Sequence, residues 1–156
     1  MAATDMTATQ VEEFVAFFEE IWSIGATDPE RFFSLLETRI TPDTRLIQPL
    51  ARTARGLAGA REMFMPVFEV VPDLRSEVHR WGPTEDGLFI EHTLHGTLAG
   101  KPLRWTATDR FILRDDGRFI ERRAYFDPLP LVAAMLTRPW ASARLLPGLL
   151  RGKERT

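Results

Sequence analysis

The sequence predicts an α+β fold: a cone-shaped, curved antiparallel sheet, or half-barrel, wrapped around N-terminal helices and enclosing an internal pocket. Two observations carry this. Apolar residues recur at helical spacing up to about residue 71, and from Asp73 onward the period changes to two, with turn signals roughly every 10 to 15 residues. The 156 residues suit one hydrophobic core, so 1–156 reads as a single domain with a flexible start over 1–8.

Val11, Phe14, Val15, Phe18, Ile21 and Trp22 form one apolar stripe on a first helix. Thr9 and Glu12 have capping-box spacing at its start, and Gly25 stands where it would stop. Asp28 as N-cap and Pro29 at the first helical position open a second helix, with Phe32, Phe33, Leu35 and Leu36 on one side. Thr44 to Leu50 reads as a short strand ended by Pro49. Leu57 to Val71 reads as a third helix that Pro66 must kink or break.

Turns at Gly82-Pro83, Ala99-Gly100 and Asp116-Gly117 then bound four strands near 73–81, 88–98, 101–115 and 118–127. Pro128 and Pro130 end the sheet. The tail from Leu129 is apolar but interrupted by Pro139, Pro147 and Gly148, which predicts a broken helix, with 138–156 irregular or helical. Its apolar side chains, among them Leu131, Met135 and Leu145, have two candidate roles, closing the mouth of the cone or covering a partner.

Composition excludes several function classes. Twenty Lys and Arg against 22 Asp and Glu give a net charge of −2, which disfavours a nucleic-acid partner. The absence of Cys removes disulfides, thiolate metal sites and a cysteine nucleophile, and fits a reducing cytoplasm. Met1 to Gln10 has no apolar core, so no secretory signal is expected there, and no run is long enough to span a membrane.

Two-residue turns at Ala99-Gly100 and Asp116-Gly117 set the register. They pair Leu94 with Trp105, His92 with Ala107, Ile90 with Asp109, Leu113 with Ile120 and Asp109 with Ala124. One face then carries Leu88, Ile90, His92, Leu94, Trp105, Ala107, Asp109, Phe111, Leu113, Ile120, Ala124 and Phe126, with Arg122 intruding near the open end. The other face is polar and interleaved with Phe89, Ile112, Phe119 and Tyr125, which suits a homodimer through the outer side of the sheet.

Asp109 is the informative position, because it places a carboxylate where alternation demands a hydrophobe. Such a group must protonate or find a partner. His92 stands diagonally opposite on the same face, and Gln48 shares a face with Leu46 and Leu50, so three polar groups converge on an apolar hollow. That set fits general acid/base chemistry, with Asp109 and His92 catalytic and Gln48, Trp105, Leu94, Phe111, Ala124 and Trp22 lining the substrate site. The plainer readings stand beside it: Asp109 as a satisfied structural carboxylate, and His92 as a core histidine. His95 points away from His92, so the two cannot share a metal, and no metal or cofactor is called for. Arg52 and Arg55 stand just before Gly56 and could hold an anion, with a solvated loop the plainer reading. Tyr125 and Asp127 read as structural or interfacial.

Several stretches resemble the nuclear transport factor 2-like superfamily, and within it the SnoaL-like polyketide cyclase group. They are Gly56-Leu57-Ala58-Gly59, the Pro72-Asp73-Leu74 step after Phe68, Thr108-Asp109-Arg110-Phe111, and Asp116 to Glu121 running into Tyr125-Phe126-Asp127. The likeness covers roughly residues 10 to 135 and implies the cone fold directly. It places Asp109 where the cyclases carry an acid/base carboxylate and the ketosteroid isomerases a protonated oxyanion-hole aspartate. The isomerases' general base falls on Gln48, which cannot take a proton, and the first helix has no Tyr. The Asp-Arg-Asp set of limonene-type epoxide hydrolases falls on Leu94, His92 and Ala124.

The expectation is therefore a protein that binds a small apolar or aromatic molecule, as a cofactor-free acid/base enzyme of cyclase or isomerase type that enolises a carbonyl compound. Lyase or hydrolase chemistry stays open. The alternative is a non-catalytic ligand-binding or association domain of the same fold.

Overall fold

The structure, a computed structural model, describes residues 7–143 and 145. Helix α1 (Ala8–Ile24) begins two residues earlier than its spacing predicts. Thr7 rather than Thr9 forms the capping box: its backbone N–H donates to Gln10 Oε1 at 3.0 Å and its hydroxyl accepts from the Gln10 N–H. Gly25 ends the helix with φ at 49°, and a short 3₁₀ turn (Gly25–Thr27) leads to α2 (Pro29–Glu37), capped by Asp28 as expected. After β1 (Arg45–Ile47) and β2 (Ala54–Arg55), α3 (Gly56–Val70) runs through Pro66 as one helix rather than breaking there. Pro66 removes one backbone donor, and Phe64 and Phe68 keep both halves packed on Trp22 and Phe32.

Strands β3 (Arg75–Pro83), β4 (Gly87–Leu98), β5 (Lys101–Leu113) and β6 (Phe119–Tyr125) pair antiparallel in chain order. The sheet as a whole is mixed and unclosed, and one parallel pair adds to the expected antiparallel strands. Its order is β2-β1-β6-β5-β4-β3, and β1 lies parallel to β6, with Arg45 opposite Glu121. Strand β3 extends through Pro83, which an edge strand tolerates, and the chain turns at Thr84–Asp86.

The β4–β5 register agrees with the predicted one. Ala99 and Gly100 both adopt positive φ, the two-residue turn that joins twisted strands, and Ile90 lies opposite Asp109. The β5–β6 hairpin differs near its tip. The Arg114 N–H donates to the Arg118 carbonyl, and Gly117 takes φ 79°, so the turn contains three residues and Leu113 faces Phe119. A bulge at Ile120 restores the expected pairing of Asp109 with Ala124. Phe119 is therefore a core residue, 1% exposed, and Ile120 is 42% exposed, the reverse of the expected faces.

The tail is a broken helix, α4 (Leu129–Leu136) and α5 (Pro139–Ser142). The expectations for 1–6, 144 and 146–156 lie outside the described residues. Aromatic side chains of the helices fill the concave face: Phe14 packs on Phe111 and Phe119, and Phe18 on Phe111 and His92. No helix among the described residues is long and apolar enough to cross a membrane.

Candidate functional site

Between α3, the concave sheet face and α4 lies a cavity of about 800 Å³. Trp22, Phe64, Leu94, Trp105 and Phe126 supply much of its apolar wall, and Gln48 and Arg122 give it polar groups. Seven consecutive residues, Gln48 to Ala54, form one side of it, with Leu50 held at φ 65°. Leu131, Met135 and Leu145 also line it, so the described part of the tail borders the cavity.

A chain of polar side chains crosses the sheet behind this wall. Ser76 Oγ on β3 stands 2.5 Å from His92 Nδ1 on β4. His92 Nε2 faces Asp109 Oδ1 on β5 at 3.4 Å, and neither atom has a hydrogen-bond partner elsewhere. Arg122 Nε on β6 donates to Asp109 Oδ2 at 2.6 Å, and its Nη1 donates to Gln48 Oε1 at 3.1 Å. The guanidinium also lies over the Phe64 ring, 5.5 Å from its centre. Period-two alternation puts all four sheet residues on the concave face, and the strand registers bring them into line.

Asp109 and His92 are fully buried. Burial pushes the Asp109 carboxyl up, but the Arg122 guanidinium bonded to one oxygen, with the His92 ring beside the other, outweighs it and holds the carboxyl below its ordinary range. Asp109 is thus an ionised carboxylate whose charge is taken up by Arg122, and Arg122 is the member of the pair that reaches the cavity.

Of the predicted site residues, Gln48, Trp22, Trp105 and Leu94 line the cavity. Asp109 and His92 are joined to it through Arg122. Phe111 lies in the aromatic core with Phe14 and Phe119, and Ala124 lies beside Asp109 across the ladder. Arg122 is the cavity-lining polar residue that sequence reasoning passed over. The signal was present: pairing Asp109 with Ala124 places Arg122 diagonally opposite the carboxylate on the same face.

The SnoaL-like domain family matches residues 11–122, the stretch that holds Gln48, Ser76, His92, Asp109 and Arg122. The chain belongs to this family. Among solved structures, this SnoaL-like domain is similar to a candidate SnoaL-like polyketide cyclase from Jannaschia sp. CCS1, with 25% identity, a TM-score of 0.70 and coverage of 84% of this chain and 96% of that one. It is also similar to TerC co-crystallised with polyporic acid (18% identity, TM-score 0.65, covering 77% and 95%). PrhC from Penicillium brasilianum NBRC 6234 matches at 14% identity and TM-score 0.73, covering 89% and 97%. Comparison with curated proteins finds no match.

The SnoaL-like domain of this chain presents donors at the polar end of its cavity. Arg122 has only N–H groups, and Gln48 already turns its oxygen to Arg122, which leaves its NH₂ free for a ligand. Both Asp109 oxygens face protein groups. The pair therefore suits a ligand oxygen acceptor and offers nothing to an ammonium group.

Proposed function

We propose that this SnoaL-like domain binds a small, largely apolar or aromatic carbonyl compound in its cavity and enolises it without a cofactor, as a cyclase or isomerase. The observation that carries the reading is a buried, ionised carboxylate paired with a guanidinium on the wall of an apolar cavity. In this reading the ligand oxygen accepts from Arg122 and Gln48, which stabilises the negative charge that develops on enolisation. As Arg122 turns toward that oxygen it uncovers Asp109 Oδ2 and withdraws the charge that depresses its basicity. The proton α to the carbonyl then passes to Asp109, and His92 holds the opposite carboxylate oxygen.

A second reading, ligand binding without chemistry, is favoured by the full burial of Asp109 and His92. One experiment separates the two: a thermal-shift screen of ketones, lactones and aromatic polyketide-like compounds, followed by recovery of each hit. Exchange of α-protons for deuterium in heavy water, lost in Asp109→Asn, supports the enzyme. Hits returned with no exchange leave the binding domain.

The proposal includes a cytoplasmic homodimer. The Cys-free sequence fits that compartment, and Phe89, Ile120 and Tyr125 stand exposed among polar side chains of β4 and β6. Light scattering at micromolar concentration is expected to give twice the 17.8 kDa chain mass, and the single-chain mass would remove the dimer.

A further inference from the structure

The buried ionisable side chains among the described residues are His92, Asp109 and Arg122. Asp109 and Arg122 cancel, so the cluster behind the cavity is balanced while His92 is neutral. A neutral carbonyl ligand keeps that balance. A carboxylate on the Arg122 and Gln48 donors would leave one negative charge without a counter-ion in an apolar site, which is costly unless a cation appears nearby.

His92 is built to supply it. Nδ1 faces Ser76 Oγ and Nε2 faces Asp109 Oδ1, so both ring nitrogens already have an oxygen to receive an N–H. The rest of its surroundings is uncharged: Phe18 and Trp22 from α1 pack on the ring, Val78 is its cross-strand neighbour on β3, and Ala107 its neighbour on β5. The other charged groups on the cavity, Arg52, Arg61 and Glu62, lie on its α3 and loop side, and Arg61 is tied to Glu30 at 2.9 and 3.0 Å.

We infer that the cluster filters ligands by charge: a neutral ketone binds with no change in protonation, whereas an aromatic carboxylate binds only as His92 takes up one proton. This rests on the cavity being a ligand site and not on turnover.

The test compares two ligands of one shape, acetylnaphthalene and naphthoate, by calorimetry in buffers of different ionisation heat between about pH 6 and about pH 8. The ketone is expected to bind with constant Kd and no proton exchange. Naphthoate is expected to bind with proton uptake and more weakly toward the alkaline end. His92→Gln should abolish the uptake. In the unaltered protein, the ¹⁵N shifts of the His92 ring should become those of an imidazolium when naphthoate binds, a reading that needs no variant. Naphthoate binding without proton uptake, or uptake that persists in His92→Gln because the ligand enters as the neutral acid, overturns the inference. Ketone binding with naphthoate excluded even at about pH 6 removes the role of His92 and keeps the cavity as a ligand site. If neither ligand binds, both readings fall.

Discussion

Arg122 Nε lies 2.6 Å from Asp109 Oδ2, and it is the guanidinium, not the carboxylate, that borders the cavity. Removing one partner leaves a buried charge unpaired, which typically costs about 3–5 kcal/mol. Arg122→Met and Asp109→Leu are each expected to lower unfolding free energy by roughly that much in urea at neutral pH. The double variant should recover most of the loss, since it buries no charge. Single variants that cost under about 1 kcal/mol would mean that water reaches the pair.

The depressed Asp109 carboxyl fixes a sign. Because its value is lower in the folded chain than the ordinary Asp value near 3.9, its stabilisation is complete above that pH. It is lost as pH falls below it through the folded value. Urea midpoints of the natural protein and Asp109→Asn should therefore converge as pH is lowered from about 6 to about 2. A constant gap across that range would show that Asp109 gains nothing from ionisation.

The bulge at Ile120 makes neighbouring residues differ sharply. Phe119 packs on Phe14 and Phe111, so Phe119→Ala should cost about 3–5 kcal/mol, whereas Ile120→Thr, read at a concentration low enough to keep the chain monomeric, should stay within about 0.5 kcal/mol. Equal costs in chemical denaturation would restore the register without a bulge.

That hairpin also marks how far local sequence rules reach. Alternation placed His92 and Asp109 on the concave face, and two turn residues located Asp109 against Ile90 and Ala124. Whether Asp116-Gly117 closes a two- or three-residue turn depends on which neighbour Phe119 can pack against, and that information lies on α1. The parallel seat of β1 was hidden for the same reason, since its partner β6 is more than 70 residues away. Arg122 on an apolar face looked like an irregularity in the pattern. Its meaning is pairwise, and it becomes visible only with Asp109, Gln48 and the Phe64 ring placed around it.

Gly25 joins α1 to the sheet where no side chain fits. It holds φ at 49°, and a Cβ there would lie 2.0 Å from the Leu74 carbonyl oxygen, the same oxygen that accepts from the Ala26 N–H. Gly25→Ala is expected to cost at least about 1–3 kcal/mol, read as a lowered Tm. An unchanged Tm would show that the α1–β3 junction relaxes freely.

The central claim is that Arg122 and Gln48 are the ligand-facing polar groups of the cavity, with Asp109 behind them. The most direct measurement is a titration of the ¹⁵N-labelled protein with acetylnaphthalene, following the Arg122 Nε–H and the Gln48 side-chain NH₂. Both signals are predicted to move together and saturate with a single Kd that Gln48→Leu weakens. Saturable binding that leaves both signals in place, or that moves residues of the outer sheet face instead, would contradict the account.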